Sequence, residues 1–187
     1  MTFVNLGEIH YISNLLSLSR IFLLIPLYLS LKLETTVGNY LAFFVMLLIA
    51  ATDFWDGYLA RKLNQKSDLG RILDPIADKV CVAVAGFLLI TLRDLPVWYF
   101  LLLIGRDLAI LILGLFVVYK TKAVVESNWI GKVAVTGVAV VLIAFTLELE
   151  PVKLPFLWIS VGLVVASSLS YFWKFYRTVF SNKKQLA

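Results

Sequence analysis

Four aspartates lie in segments that are otherwise strongly apolar. Asp53 and Asp56 close one apolar run, and Asp74 and Asp78 open the next. A carboxylate at membrane depth costs about 2.5–3.5 kcal/mol on insertion scales, so four of them indicate a functional site. Mg²⁺ and Mn²⁺ prefer carboxylate oxygens and keep positions open for phosphate. The aspartates therefore predict metal-dependent chemistry on a phosphate ester, with two ions about 3.5–4 Å apart holding a diphosphate.

Small and basic residues accompany the aspartates at helical spacing. One set is spaced i, i+3, i+4, i+7, i+8 and the other i, i+4, i+8, so each set follows one face of a helix. The first set is Asp53, Asp56, Gly57, Ala60 and Arg61, and the second is Gly70, Asp74 and Asp78. Helices joined by a short loop are antiparallel neighbours, so the two faces are expected to meet. The small residues leave room for a flat ligand group, and Arg61 can neutralise a phosphate.

Six apolar segments must position these residues. Of the 187 residues, 61% are hydrophobic and 16% are charged, a balance typical of an integral membrane protein. The sequence predicts an all-α protein with six transmembrane helices in a single domain over residues 1–187, in which residues 1–11 form an interfacial helix. Segments long enough to cross a core of about 30 Å are 12–31, 37–60, 70–92, 96–119, 128–147 and 152–173.

Pro75 stands between the last two aspartates. It has no N–H for the carbonyl of Arg71, and it disfavours helical backbone at Asp74. The third helix is therefore predicted to start or kink at Asp74.

Basic residues near the span ends are distributed unevenly between the two sides of the membrane. Ten lie on one side and three on the other, which predicts cytoplasmic even-numbered loops and cytoplasmic N- and C-termini. The net charge of +5 then reflects topology and anionic lipid rather than nucleic acid. The ten are Arg61, Lys62, Lys66, Arg71, Lys120, Lys122, Lys174, Arg177, Lys183 and Lys184, and the three are Lys32, Arg93 and Lys153.

Other ionisable residues lie in the cytoplasmic half of the predicted spans. Arg20 lies about two turns into the first span and Lys132 about one turn into the fifth. Arg106 and Asp107 lie near the middle of the fourth span. Such groups face the bundle interior or a water-filled cavity. Together with the aspartates, they predict a polar cavity open to the cytoplasm.

Two of these cations have structural alternatives to a binding role. Arg106 could pair with Asp107, although adjacent residues do not face each other on a helix. Lys132 could extend its ammonium group to the membrane interface.

The stretch from Asp53 to Asp78 resembles the signature of the CDP-alcohol phosphatidyltransferase family of membrane enzymes. All eight signature positions are present, and a chance match at residue frequencies of a few per cent is negligible. The resemblance extends over the whole chain in length, number of spans and placement of the motif. Within the family, the segments 52–57, 73–79 and 14–20 are most similar to the branch whose acceptor is glycerol 3-phosphate.

The resemblance implies a reaction and a set of roles. The expected enzyme transfers a phosphatidyl group from CDP-diacylglycerol to an alcohol and releases CMP. Asp53, Asp56 and Asp74 would bind two Mg²⁺ or Mn²⁺ ions, and Asp78 would be both a metal ligand and the general base. The donor-binding residues would be Gly57, Ala60, Arg61, Gly70, Asn14 and Ser17.

The acceptor and the assembly are also expected from the resemblance. Binding a phosphorylated acceptor such as glycerol 3-phosphate needs cations, for which Arg106 and Lys132 are candidates and Arg20 a weaker one. Residues 133–137 lack the polarity of that branch, so a cardiolipin-type enzyme that uses phosphatidylglycerol is the alternative. A homodimer in a bacterial cytoplasmic membrane is expected, and Gly162 and Ala166 form a small-residue pair suited to close helix packing.

Two other classes of membrane protein also carry buried carboxylates. A membrane prenyltransferase binds a metal diphosphate through two aspartate-rich motifs, but it is usually longer and lacks the set formed by Gly57, Ala60 and Arg61. A divalent-cation channel or transporter also places carboxylates in a cavity. Its charges would continue across the membrane, whereas those of this chain stop in one half.

Overall fold

The structure, a computed structural model, describes the backbone of residues 12–62, 68–121 and 129–181. Its described side chains are those of residues 18–52, 55, 77–117, 119 and 129–178. The predicted interfacial helix at residues 1–11 lies outside the described residues.

The described residues form six α-helices and no strands, which confirms the predicted all-α class. α3 begins six residues before Asp74 and includes Pro75, so the predicted start at Asp74 is wrong and the kink stays a prediction. Pro75 falls in the second turn of α3, where a proline still removes one helical hydrogen bond. The helices are α1 Ile12–Lys32, α2 Thr36–Lys62, α3 Asp68–Leu92, α4 Val97–Thr121, α5 Trp129–Thr146 and α6 Glu150–Ser181.

Three helices in the described part of the chain are long and apolar enough to cross a membrane. They are Val97–Val117, Trp129–Thr146 and Glu150–Thr178, and Thr36–Thr52 is a shorter apolar helix. Large apolar side chains such as Phe22, Phe87 and Leu115 are exposed. In water such faces would be a liability, whereas lipid accommodates them. This pattern agrees with a membrane protein.

The chain divides into two units, the first ending at Asp94 and the second beginning at Leu95. In the first unit, α1 packs against both α2 and α3. Leu24, Leu27 and Leu31 form the buried stripe of α1, because residues spaced by three and four share a helix face. The opposite face of α1 carries exposed apolar residues.

A buried arginine links the helix ends at one end of this unit. Arg93, which is 3% exposed, donates hydrogen bonds from Nη2 to the carbonyl of Leu31 at 2.9 Å and to Oδ1 of Asn39 at 2.7 Å. Its Nη1 donates to the carbonyl of Leu92 at 2.6 Å. These bonds cap the C-terminal carbonyls of α1 and α3 and connect both helices to α2.

Replacing Arg93 with methionine should lower the free energy of unfolding by about 2–4 kcal/mol, because the variant leaves buried acceptors without a charged donor. Denaturant titration in detergent micelles would measure the change. Lys32→Met is the control, since Lys32 is exposed. Equal stability of the two variants would contradict the capping role of Arg93.

In the second unit, α6 packs against α4 and α5. Leu157, Ser160 and Val164 lie on its buried face. The hydroxyls of Ser160 and Tyr99 on α4 share a buried hydrogen bond of 2.7 Å. Gly137 allows α5 to approach α6, because an added Cβ there would lie 2.9 Å from Cδ1 of Leu163.

The connection between α5 and α6 is short because the end of α5 turns sharply. Glu148 has a positive φ of 52°. The N–H of Leu149 donates to the carbonyl of Ala144 at 3.0 Å, and that of Glu148 donates to Phe145 at 3.2 Å. This is the Schellman pattern of helix termination, and it reverses the chain so that α6 returns along α5.

Candidate active site

The side chains of Arg20 and Asp78 meet between α1 and α3. Arg20 lies on the buried stripe of α1, four residues before Leu24. On α3, Ala77 and Cys81 are buried, and Asp78 lies beside this buried face. Nη1 of Arg20 donates a hydrogen bond to Oδ1 of Asp78, and the two groups form an ion pair.

The two partners of this ion pair differ in their exposure. The side chain of Arg20 is 1% exposed, whereas that of Asp78 is 45% exposed. A buried charge without a partner is strongly destabilising, and Asp78 supplies the opposite charge. The carboxylate is therefore accessible to a ligand, while the guanidinium behind it is enclosed by protein.

The other predicted motif residues belong to the helix ends at one end of the first unit. Consecutive helices with short connections run antiparallel, so the start of α1, the end of α2 and the start of α3 lie together. Their side chains are outside the described set, so the four-carboxylate cluster and the donor pocket stay predictions. These residues are Asn14 and Ser17 in α1, Asp53, Asp56, Gly57, Ala60 and Arg61 in α2, and Gly70 and Asp74 in α3.

Arg106 forms a separate polar cluster within the second unit. Its Nη2 donates to the hydroxyl of Ser167 on α6 at 3.0 Å, and its guanidinium carbon lies 5.9 Å from the ring centre of Tyr171. The Arg106 side chain is 15% exposed. Its Nε is buried and has no hydrogen-bond partner among the described residues. An unsatisfied buried donor is unfavourable, and the acceptor-binding role of Arg106 stays a prediction.

Arg106 also pairs with Asp107, which the spacing disfavours. Nη1 of Arg106 lies 2.8 Å from Oδ1 of Asp107. Adjacent residues can pair here because the arginine side chain is long enough to turn back to its neighbour. This ion pair occupies Nη1 of Arg106. It does not test whether Arg106 also binds the acceptor.

Lys132 lies in the first turn of α5 and is exposed. Its Nζ is 5.3 Å from the ring centre of Trp129, a distance at which a cation and an aromatic face attract each other. The next polar residue, Thr136, donates its hydroxyl to the carbonyl of Lys132 at 3.2 Å. Both an acceptor-binding role and an interfacial position of the ammonium group are compatible with this arrangement.

Two residues of the Arg106 cluster were not singled out from the sequence. Ser167 and Tyr171 are polar residues four positions apart within the apolar α6, and their i, i+4 spacing places them on one face. Ser167 is fully buried. Polar side chains inside an apolar span usually face other helices, and that signal could have identified the pair.

Known proteins are similar in amino-acid sequence to this chain over most of its length. The family model for CDP-alcohol phosphatidyltransferase matches residues 10–166. The chain is 34% identical over 181 residues to the CDP-diacylglycerol–glycerol-3-phosphate 3-phosphatidyltransferase of Bacillus subtilis (strain 168), covering 86% of this chain and 93% of the relative. Relatives with the same name are 40% identical in Aquifex aeolicus (strain VF5), covering 71% and 74%, and 35% identical in Escherichia coli (strain K12), covering 70% and 74%.

Proposed function

The chain belongs to the CDP-alcohol phosphatidyltransferase family, and from this membership we propose that it transfers the phosphatidyl group of CDP-diacylglycerol to glycerol 3-phosphate. The family membership confirms the resemblance seen in the aspartate pattern, and the chain is an enzyme of this class. The observation that carries the choice of substrates is the name shared by three relatives that are 34%, 40% and 35% identical to it. Membership favours an enzyme over a channel.

The proposed enzyme crosses the cell membrane six times, with both termini and the active site on the cytoplasmic side. The uneven distribution of basic residues supports this orientation. The family match over residues 10–166 includes parts of both units, which supports a single functional domain.

A homodimer is part of the proposal, and its support is the family resemblance. Gly162 and Ala166 are exposed on α6, and an added Cβ at Gly162 would have no neighbour within 4 Å. This small-residue face is therefore accessible to another helix.

The donor set fits a hard divalent cation because all four predicted ligands are carboxylates. Asp53, Asp56, Asp74 and Asp78 would hold two Mg²⁺ or Mn²⁺ ions. When bound, the ions would stabilise negative charge on the diphosphate. The described member, Asp78, presents an accessible carboxylate, as a metal ligand must.

The proposed reaction forms one P–O bond and breaks another. The acceptor hydroxyl oxygen attacks the phosphorus of the phosphatidyl group, and the bond from that phosphorus to the bridging oxygen of the diphosphate breaks, so CMP leaves. Asp78 takes the proton of the hydroxyl. Gly57, Ala60 and Gly70 give the donor room against the helix backbones, and Arg61 neutralises its phosphate. Asn14 and Ser17 contribute polar groups to the same pocket.

Binding of the acceptor phosphate is proposed for Arg106 and Lys132. The buried Nε of Arg106 is a charged donor for which the described residues supply no acceptor, and a phosphate oxygen would satisfy it. The ammonium of Lys132 is exposed on the first turn of α5, where a second cation would add long-range attraction.

The purified protein should release CMP from CDP-diacylglycerol with glycerol 3-phosphate and Mg²⁺, and removing divalent cations with EDTA should stop the release. Adding Mg²⁺ or Mn²⁺ back should restore it. Phosphatidylglycerol and other alcohols serve as comparison acceptors, measured by the same CMP assay. Faster release with phosphatidylglycerol would favour the cardiolipin-type alternative, and no release with any alcohol would contradict the transferase proposal.

A further inference from the structure

Arg20 occupies a position unsuited to a residue that binds a soluble acceptor. It continues the buried stripe of Leu24, Leu27 and Leu31, and its side chain is 1% exposed. A phosphate that bound this guanidinium would have to enter the packing between α1 and α3. Arg106, by comparison, has a side chain that is 15% exposed.

Arg20 contacts the predicted base. Its Nη1 donates to Oδ1 of Asp78 across the interface of α1 and α3. The arginine is enclosed and the aspartate is accessible, so packing fixes the arginine and the arginine in turn restricts the aspartate. A charge-assisted hydrogen bond of this kind limits both the position and the rotation of a carboxylate.

We infer that Arg20 is a positioning residue that holds the Asp78 carboxylate in the orientation needed to take the acceptor's proton. The inference rests on the proposed function, and it assigns Arg20 to the base rather than to the acceptor. The proposed role requires no contact between Arg20 and a substrate. Arg20 acts through Asp78, and α1 thereby contributes to proton transfer as well as to packing.

Loss of the contact between Arg20 and Asp78 should slow the reaction, because proton transfer depends on the position of the base. Misplacement of a reacting group by about 1 Å can reduce a rate about 100-fold. Arg20→Met should therefore lower kcat for CMP release by about 10–100-fold and change the KM for glycerol 3-phosphate by less than about threefold. Arg20→Lys retains a cationic donor and should recover part of kcat.

Arg93→Met is the matched control because Arg93 is also a buried arginine of the first unit. It donates hydrogen bonds to Leu31, Asn39 and Leu92, at the other end of the helices. The control should be less stable than the wild type while its folded fraction keeps the wild-type kcat. Rates are therefore normalised to folded protein, measured by thermal unfolding in the same detergent.

A second experiment tests the contact between Arg20 and Asp78 without measuring catalysis. Carbodiimide coupling to an amine, followed by mass spectrometry of metal-free protein, measures the reactivity of the Asp78 carboxylate. Arg20→Met should increase labelling of Asp78 relative to both the wild type and Arg93→Met. The double variant Arg20→Met with Asp78→Asn should be no slower than Asp78→Asn alone, since Arg20 acts through Asp78.

The Arg20 variants test the positioning role, and the wild-type protein tests the proposed function. Lower kcat in Arg20→Met, an unchanged KM and increased Asp78 labelling support the inference. A higher KM for glycerol 3-phosphate at wild-type kcat would make Arg20 an acceptor residue and overturn it. Unchanged labelling, or an Arg20→Lys variant that folds but recovers no more activity than Arg20→Met, would also overturn it. A wild-type protein that releases no CMP would overturn the proposed function and the inference with it.

Discussion

Replacing Asp78 with asparagine should slow CMP release by about 10²–10⁴-fold, the usual contribution of general-base catalysis. Asparagine has nearly the same shape as aspartate but cannot accept the proton of the acceptor hydroxyl. Donor binding in the presence of Mg²⁺ should fall much less than turnover, because three other carboxylates are proposed to hold the ions. Single-turnover CMP release and equilibrium binding of CDP-diacylglycerol measure the two effects separately.

Asp94→Asn is a suitable control for this variant. Asp94 follows α3, the helix that carries Asp78, and its side chain is exposed. Its φ is 54°, a conformation that asparagine adopts readily, so the same chemical change is made outside the site. Equal losses of binding and turnover in Asp78→Asn would assign Asp78 to binding alone and exclude it as the base.

Replacing Arg106 with methionine should raise the KM for glycerol 3-phosphate by about 10–100-fold, which corresponds to the loss of a charge-assisted hydrogen bond of about 1.5–3 kcal/mol. The kcat at saturating acceptor should change less than the KM, because Arg106 is proposed to bind the acceptor and not the reacting atoms. Initial rates over a range of glycerol 3-phosphate concentrations test this expectation.

Two further variants make the Arg106 experiment specific. Arg177→Met removes another arginine of the second unit that lies over an aromatic ring, 5.5 Å from the centre of Trp173, and should leave the KM unchanged. Arg106→Met combined with Asp107→Asn removes both charges of the ion pair and avoids an unpaired carboxylate. A wild-type KM in both Arg106 variants would show that the acceptor binds elsewhere.

The sequence predicts the helices better than it predicts their ends. Apolar segments of about 20 residues identify all six helices because burial in lipid or protein requires backbone hydrogen bonds within each segment. The predicted start of α3 at Asp74 is wrong because the helix begins at Asp68 and accommodates Pro75 in its second turn, with the loss of one helical hydrogen bond. Terminal turns depend on local hydrogen bonds, which residue composition describes poorly.

Side-chain partners are the part that the sequence predicts least. The depth of Arg20 and Arg106 indicates that both are functional or paired, but only packing shows that Arg20 contacts Asp78 and that Arg106 contacts Ser167. The sequence indicates Arg93 only as a basic residue near a span end, yet its side chain caps carbonyls of two helices. Partners far apart in the chain are determined by how the helices pack, which the spacing within one helix does not specify.

The most direct test of the proposed function is the incorporation of radiolabelled glycerol 3-phosphate into lipid by the purified protein. Wild-type protein with CDP-diacylglycerol and Mg²⁺ should convert the label into a product that partitions into chloroform, with one CMP released for each molecule incorporated. The Asp78→Asn variant at the same concentration should produce almost none. If the label stays in the aqueous phase with the folded wild-type protein, the account of this chain as a glycerol 3-phosphate phosphatidyltransferase is contradicted.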